Sequence, residues 1–550
     1  MFKKTVKYYQ KYGIRLTLKR ICKKLLNLHR MQGKQVPITF VKGQCIGILT
    51  APHCLFIAGL FSKLLGEAGF SVKVYTHAPI HFPDIPFIVI CPQYFMKLPK
   101  RCIVYQMEQT TSDKWMTEEY FSLLRNAAAV FDYSLRNIGY FEQHGIPMQQ
   151  LYYMPLQYNE HEAVPADEPY LYDVLFYGDV KIGRRQKYLK HLSEKYHVKV
   201  ISNTFGEELL QELSRAKIIL NVHYFPEALL ETTRIYECLS LGRSIVISEE
   251  SIDIEEHASL RNIVDFVPQD DIEAMLQRID FWLLDDEKRI QKLRKNKQQL
   301  QEATNWFRFY LYRFLTANDS MCFDEFYEAT KDVSLHSKQI CLSLAEAPQR
   351  RQSFLRDTPM SFELFPGLRH VIGWRGCGMS YKYLLKKALD QNMDMLTICE
   401  DDVFFGSDFM IRYEKIRAYL EQTEDWDVFS GLMADVHDVR LCGVSELDGE
   451  KLLSVSKMVS MVFNVYHASM FEQLIAWQGR AGSLEDNAID RFLEKGKPLK
   501  VLTTIPFLVG HKEELGSTIW EDTMYGDIIE HSIQELKEKL EAYQRRRKLL

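Results

Sequence analysis

The first 66 residues contain no aspartate or glutamate, although the whole chain carries 73 acidic residues against 69 Lys and Arg. Other absences narrow the function. No run approaches the roughly 18 apolar residues of a membrane-spanning helix. The N-terminus lacks the apolar core and cleavage site of a secretory signal. No G-x-G-x-x-G follows the first strand-like run and no P-loop occurs, so neither dinucleotide binding nor a kinase is supported. The eleven cysteines include no C-x-x-C pair and no Cys/His cluster of zinc spacing; that pattern fits reduced thiols in a cytosolic setting. A formal net charge of −4 argues against a general nucleic-acid binder.

What is present is ordinary globular composition, 46% hydrophobic and 26% charged, in 550 residues, enough for several domains. Lys and Arg crowd residues 3–34. There Ile14, Leu18, Ile21, Leu25 and Leu28 recur in steps of four and three, which predicts one apolar helical face. Lys19, Arg20, Lys23 and Lys24 fall largely opposite. Such a helix suits an anionic membrane surface, or packs on the protein and shows its lysines to water.

Strand-like runs alternate with helical spacing from residue 44 onward, which predicts an α/β chain with parallel sheets. One alternating unit covers 36–165 and a second 166–316, with a proline- and acid-containing hinge at 160–169. The basic segment 1–35 precedes them. Residues 317–337 read as a linker, 338–520 as a third α/β domain, and 521–550 as a charged helical tail that packs, pairs with another copy or touches lipid. Two doubly wound halves flanking a cleft describe the glycosyltransferase B fold.

The most informative run is 395–405, where Glu400, Asp401 and Asp402 sit between apolar flanks. An apolar run of this length reads as a buried strand. Carboxylates at its end are costly to bury without a partner. A hard divalent cation is one such partner; water or an arginine is the other reading.

Residues 338–520 resemble glycosyltransferase family 25, the lipopolysaccharide-type transferases of the A fold. The resemblance rests on Ile340-Cys341-Leu342-Ser343-Leu344 followed by Arg350-Arg351, on Gly376-Cys377-Gly378-Met379-Ser380, on Glu400-Asp401-Asp402, on Asn487-Ala488-Ile489-Asp490, and on Pro506-Phe507-Leu508-Val509 with His511 and Ser517. Tyr381 stands where the family has a histidine. The resemblance implies that Glu400 and Asp402 hold a metal–diphosphate, that Asp401 contacts the ribose or orients the loop, and that Asp490 is the general base. His511 is a candidate third ligand, which suits Mn²⁺ better than Mg²⁺. Arg350 is a candidate phosphate partner. Each also has a plainer reading, as a surface acid, a packed imidazole or a solvated helix start.

Residues 216–249 resemble the C-terminal half of group 1 glycosyltransferases of the B fold. Here Glu231, Arg234 and Glu237 are spaced by three, near one helical face. The resemblance implies that Glu237 binds the ribose hydroxyls and Arg234 the diphosphate. Gly178, with Lys181, Arg184 and Arg185 after it, suits close approach of backbone and cations to phosphate. The commoner acid eight positions before Glu237 is Leu229, leaving Glu227 and Glu231 as substitutes. The plainer reading is an ion-pair ladder on a surface helix. His53, in the first loop, faces the cleft or packs.

These readings lead to a bifunctional glycosyltransferase. It would take nucleotide-sugar donors (UDP-galactose being the family's common one) and a divalent cation, Mn²⁺ or Mg²⁺, at its C-terminal domain. The acceptor expected is a lipid-linked lipopolysaccharide or capsule glycan, reached from the cytoplasm at the inner face of the membrane. One alternative makes the N-terminal half an acceptor-binding module. Another is metal-dependent phosphoryl or nucleotidyl transfer at residues 400–402.

Overall fold

The computed structural model describes residues 38–548, except 39, 113, 161–167, 182, 437, 480–487, 497–498, 513–514 and 516–524. The expected basic helix at 1–35, most of the expected hinge, Asn487 and Ser517 lie outside the described residues. The chain divides into two compact units, Met1–Leu311 and Tyr312–Leu550.

The first unit contains two parallel sheets. One is built from β1 (Cys45–Thr50), β2 (Ser71–Tyr75), β3 (Phe87–Ile90), β4 (Cys102–Gln106), β5 (Ala129–Asp132) and β6 (Leu151–Tyr153), in the order β2-β1-β3-β4-β5-β6. The other holds β7 (Tyr172–Tyr177), β8 (Val198–Ile201), β9 (Ala216–Asn221), β10 (Ile245–Glu249) and β11 (Asp265–Val267), in the order β11-β10-β9-β7-β8. Every pairing within them is parallel. β3, β4, β5 and β10 are buried at every residue, as expected where helices cover both faces of a parallel sheet. This is the expected pair of Rossmann-like halves. A helix running to Ala317 from Trp306 returns to the first half, where Phe307 meets Phe61 at 4.9 Å and Tyr310 meets Tyr153 at 4.9 Å.

The helix Thr232–Leu241 ends where expected, with Gly242 at φ 65°. That left-handed conformation closes a helix at no steric cost to glycine.

The second unit is a mixed eight-stranded sheet. Its strands are β12 (Gln339–Ser343), β13 (Glu363–Pro366), β14 (Met395–Glu400), β16 (Val428–Ser430), β17 (Leu441–Leu447), β18 (Glu450–Val455), β19 (Phe463–His467) and β20 (Val501–Thr504), in the order β13-β12-β14-β19-β16-β20-β18-β17. A separate antiparallel ribbon pairs β15 (Val403–Phe405) with β21 (Val509–His511). The sheet gives the A-type α/β architecture expected of this part.

One element, the linker, differs from its sequence reading, and the C-terminal tail takes the first of its three readings. The supposed linker at 317–337 contains a helix, Phe323–Ala329, whose Phe326 and Tyr327 are fully buried. Seven residues are too few for helical periodicity to stand out. The C-terminal helix Tyr525–Lys548 packs on its own unit: Leu536 and Leu540 are buried, and Ser532 Oγ donates to the Ala434 carbonyl at 3.0 Å.

Candidate functional site

Each unit carries a candidate site. In the first unit, a cavity of about 280 Å³ is lined by residues at or just beyond the carboxyl ends of both parallel sheets, including His53, Cys91, Glu108, Tyr177, Gly178, Glu231, Arg234 and Glu237. Open α/β sheets bind ligands at that edge, where loops replace the strand ladder and leave backbone and side chains available.

Helix Thr232–Leu241 carries the predicted Arg234 and Glu237, and Glu231 is the residue just before it. Arg234 Nη1 donates to Asn221 Oδ1 at 2.7 Å, and its guanidinium lies over the rings of Phe176 and Tyr177. Its buried Nε has no hydrogen-bond partner among the described residues. Gly178 has φ 135°, and a Cβ there would stand 2.9 Å from Arg234 Nη2. The glycine therefore makes room for the guanidinium.

Glu237 accepts from the Tyr177 hydroxyl at 2.9 Å. Burial raises its carboxyl from 4.5 to about 7, against the opposing pull of that hydrogen bond and of Arg234. Glu231 behaves oppositely. Burial works against its charge, but His223 outweighs it and holds the carboxyl well below the usual range. His223 Nδ1 bonds to it directly, Asn221 Nδ2 donates at 3.1 Å, and Arg185 Nη2 stands 3.6 Å away. Glu231 is thus tied to the site's imidazole and guanidinium, while Glu237 lines the cavity with the Tyr177 hydroxyl as its partner.

Arg184, expected beside a phosphate, is committed elsewhere. It clamps the fully buried Glu249 through both terminal nitrogens, pairs with Asp270 at 2.9 Å, and donates to the His223 carbonyl at 2.8 Å. A bidentate pair of this kind leaves little donor capacity. The neighbouring Arg185 is the guanidinium that faces Arg234. Burial, then the Arg234 charge, lowers it to about 10. Its Nη1 would lie 3.6 Å from a Cβ at Gly178. Arg185 is committed as well: its Nε donates to the Val222 carbonyl at 2.9 Å and its Nη1 to the Asp179 carbonyl at 3.0 Å. Asn221 and His223, absent from the sequence reading, share one local signal: polar residues at the end of the apolar strand β9.

In the second unit, β14 ends at Glu400 as expected. Asp401 faces inward, accepting from Ser343 Oγ at 2.7 Å and from Arg350 Nε at 2.8 Å. Arg350 Nη2 also contacts Asp402 Oδ2 at 2.6 Å. Arg350 therefore neutralises the acid cluster rather than standing free for phosphate, and Asp401 positions it. This is the arginine alternative raised from the sequence.

His511 reaches the cluster through the ribbon, because Val403 pairs with His511 in its register. Its Nε2 lies 3.3 Å from Asp402 Oδ2. Asp402 Oδ1 is buried and has no hydrogen-bond partner among the described residues. Burial, then the Asp402 charge, pushes the Glu400 carboxyl up. Asp402 is held down: burial opposes its charge, but the His511 hydrogen bond and Arg350 prevail. Asp402, with one unsatisfied oxygen, and the His511 imidazole beside it are donors that suit Mn²⁺ or Mg²⁺, while Glu400 does not bring a carboxylate oxygen within 4.8 Å of a donor atom on both.

The helix Gly373–Asp390 closes this site from the other side. A Cβ on Gly376 would meet the Leu368 carbonyl at 2.9 Å, and one on Gly378 would enter the Trp477 ring. That close packing brings Cys377 Sγ to 3.7 Å from Glu400 Oε1. Tyr381, where a histidine was expected, is buried and donates to the Met461 carbonyl at 2.7 Å. Asp490 lies in the first turn of the helix Ile489–Lys495 and accepts from its neighbour Arg491 N at 2.8 Å. Its charge, like that of Glu400, raises the Cys377 thiol after burial.

Residues 372–438 match glycosyltransferase family 25 (LPS biosynthesis protein). The match spans residues 376–380 and 400–402, bearing out the resemblance read from them and the expectation of a glycosyltransferase. No curated protein matches the chain. Among solved structures, TarM is similar at 11% identity and a TM-score of 0.31, over 42% of this chain and 54% of its own. The chain thus spans about half the length of TarM. Anabaena HepE in complex with UDP and glucose is similar at 12% identity and a TM-score of 0.31, over 47% of this chain and 95% of its own. T4 phage BGT in complex with UDP and Mn²⁺ is similar at 13% identity and a TM-score of 0.34, over 50% and 99%. No helix among the described residues is long and apolar enough to cross a membrane.

Proposed function

We propose that the chain is a bifunctional glycosyltransferase, each unit binding one sugar nucleotide and extending a lipid-linked surface glycan of the lipopolysaccharide or capsule type. The observation that carries the proposal is the unpartnered Asp402 Oδ1, on a carboxylate whose other oxygen lies 3.3 Å from His511 Nε2, at a position within the segment that matches a glycosyltransferase family. A divalent cation held by Glu400, Asp402 and His511 would act as a Lewis acid toward the diphosphate leaving group. Asp490 takes the proton from the acceptor hydroxyl as that oxygen attacks the anomeric carbon. Asp401 and Ser343 hold Arg350 against the cluster, keeping the acids paired in its resting state.

In the first unit, Arg234 receives the donor's diphosphate and Glu237 accepts from its ribose hydroxyls. Planar guanidiniums suit phosphate oxygens. Arg234 and Glu237 both line the cavity, and the missing Cβ of Gly178 leaves room for the Arg234 guanidinium, which supports this reading. The peripheral membrane location rests on the sequence of residues 1–35 alone.

The test is a donor screen. A panel of sugar nucleotides would be offered, with and without Mn²⁺, to wild type, Asp402→Asn and Glu237→Ala. Each variant should lose a different one of two sugar additions. If Glu237→Ala keeps both and loses only acceptor affinity, the first unit is a binding module. Phosphate-bearing products would end the proposal altogether.

A further inference from the structure

The cavity of the first unit has a second chemistry in its wall. Thr50 and Ile90 are the last residues of β1 and β3 and lie opposite each other in register. The chain just past each strand must therefore run side by side. It carries His53 and Cys54 on one side and Cys91 on the other. The two sulfurs stand 3.4 Å apart, and His53 Nε2 is 3.7 Å from Cys91 Sγ. The three donor atoms all lie within 4.8 Å of one another.

Those spacings can be compared with a metal centre. Tetrahedral zinc, with Zn–S of about 2.3 Å and Zn–N of about 2.0–2.1 Å, needs S···S of about 3.8 Å and S···N of about 3.6 Å. The observed contacts of 3.4 and 3.7 Å depart from these by less than half an ångström. A disulfide would need the sulfurs at about 2.05 Å. Cys91 also holds a left-handed φ of 56°. A non-glycine residue adopts that conformation at a cost that the surrounding structure must offset. Both cysteines are buried, while His53 is exposed enough to reach the cavity.

We propose that His53 Nε2, Cys54 Sγ and Cys91 Sγ form a site for one zinc-class divalent cation. All three residues line the cavity. The fourth coordination position therefore faces the cavity and takes an oxygen donor, either water or an oxygen of the occupant. Three protein ligands with one open position distinguish a reactive or ligand-binding zinc site from a closed structural one. The oxygen-rich cluster at residues 400–402 would favour harder cations, so the two sites differ in metal class. This inference does not depend on the cavity binding a sugar nucleotide.

The test uses the full chain, purified reduced and metal-free, then titrated with Co²⁺. We expect one equivalent to produce a thiolate-to-cobalt charge-transfer band, and zinc added afterward to abolish it. Cys54→Ser and Cys91→Ser should each lose the band and one bound equivalent. Asp402→Asn should keep it. His53→Gln alters an exposed side chain, so its far-UV circular dichroism and melting should match wild type while the band weakens. Absence of the band in wild type, or its persistence in both cysteine variants, would overturn the site. So would a Cys54–Cys91 disulfide in protein whose thiols were alkylated at lysis.

Discussion

Replacing Glu237 by glutamine should stabilise the first unit and weaken its donor binding at the same time. Burial raises this carboxyl from 4.5 to about 7. In the unfolded chain it ionises near its ordinary value, so between those limits the folded state binds more protons. Stability must then fall as pH rises through that window, and the full penalty is present above about pH 7. Moving a carboxyl from 4.5 to about 7 corresponds to at most about 3.4 kcal/mol, at 1.36 kcal/mol per pH unit. The side chain opens onto the cavity, so water screens part of this, and about 1–2 kcal/mol is the expected gain. Glutamine still accepts the Tyr177 hydroxyl, so no buried group is orphaned. Urea unfolding followed by circular dichroism at pH 8 and pH 5 reads the effect. Glu237→Gln should be more stable at pH 8, with the margin shrinking toward pH 5. Calorimetric titration with UDP at pH 8 should show binding weakened about tenfold or more, one or two charge-assisted hydrogen bonds being lost. A variant less stable than wild type at pH 8, or a margin that ignores pH, would refute the argument.

Gly178→Ala places a Cβ 2.9 Å from Arg234 Nη2 on a backbone suited to glycine; it should cost about 1–3 kcal/mol and weaken UDP binding, read by melting and titration. Glu346→Ala removes the carboxylate that both terminal nitrogens of the buried Arg313 contact, at 2.7 and 3.0 Å, and leaves that charge without its counter-ion there. The second unit should lose about 3–5 kcal/mol in urea unfolding. His511→Ala should raise the Mn²⁺ concentration needed for turnover by the second unit, and chelation should abolish that turnover in wild type while Mn²⁺ restores it.

Much of the site chemistry was legible because it is local. The apolar run before Glu400 needed only a strand and its end, and Glu231, Arg234 and Glu237 needed only a helix. The helix Thr232–Leu241 and its glycine stop were visible for the same reason. Arg184 and Arg185 show where local reading fails. Adjacent on one helix, they point to different neighbours, and only packing assigns Arg184 to Glu249 and Arg185 to Glu231 and the Val222 and Asp179 carbonyls. Arg350 likewise looked free until the fold set it against Asp401 and Asp402.

Residue order alone determined the alternation of strands and helices, the acid-ended strand and the spacing of the second half's charged helix, since each depends on contacts a few residues apart. Tertiary structure decided which distant groups meet. His511 comes to Asp402 because a two-stranded ribbon pairs residues more than a hundred positions apart. Cys54 and Cys91 meet because neighbouring parallel strands end side by side. Such encounters follow from sheet order and register, which no local run of residues encodes.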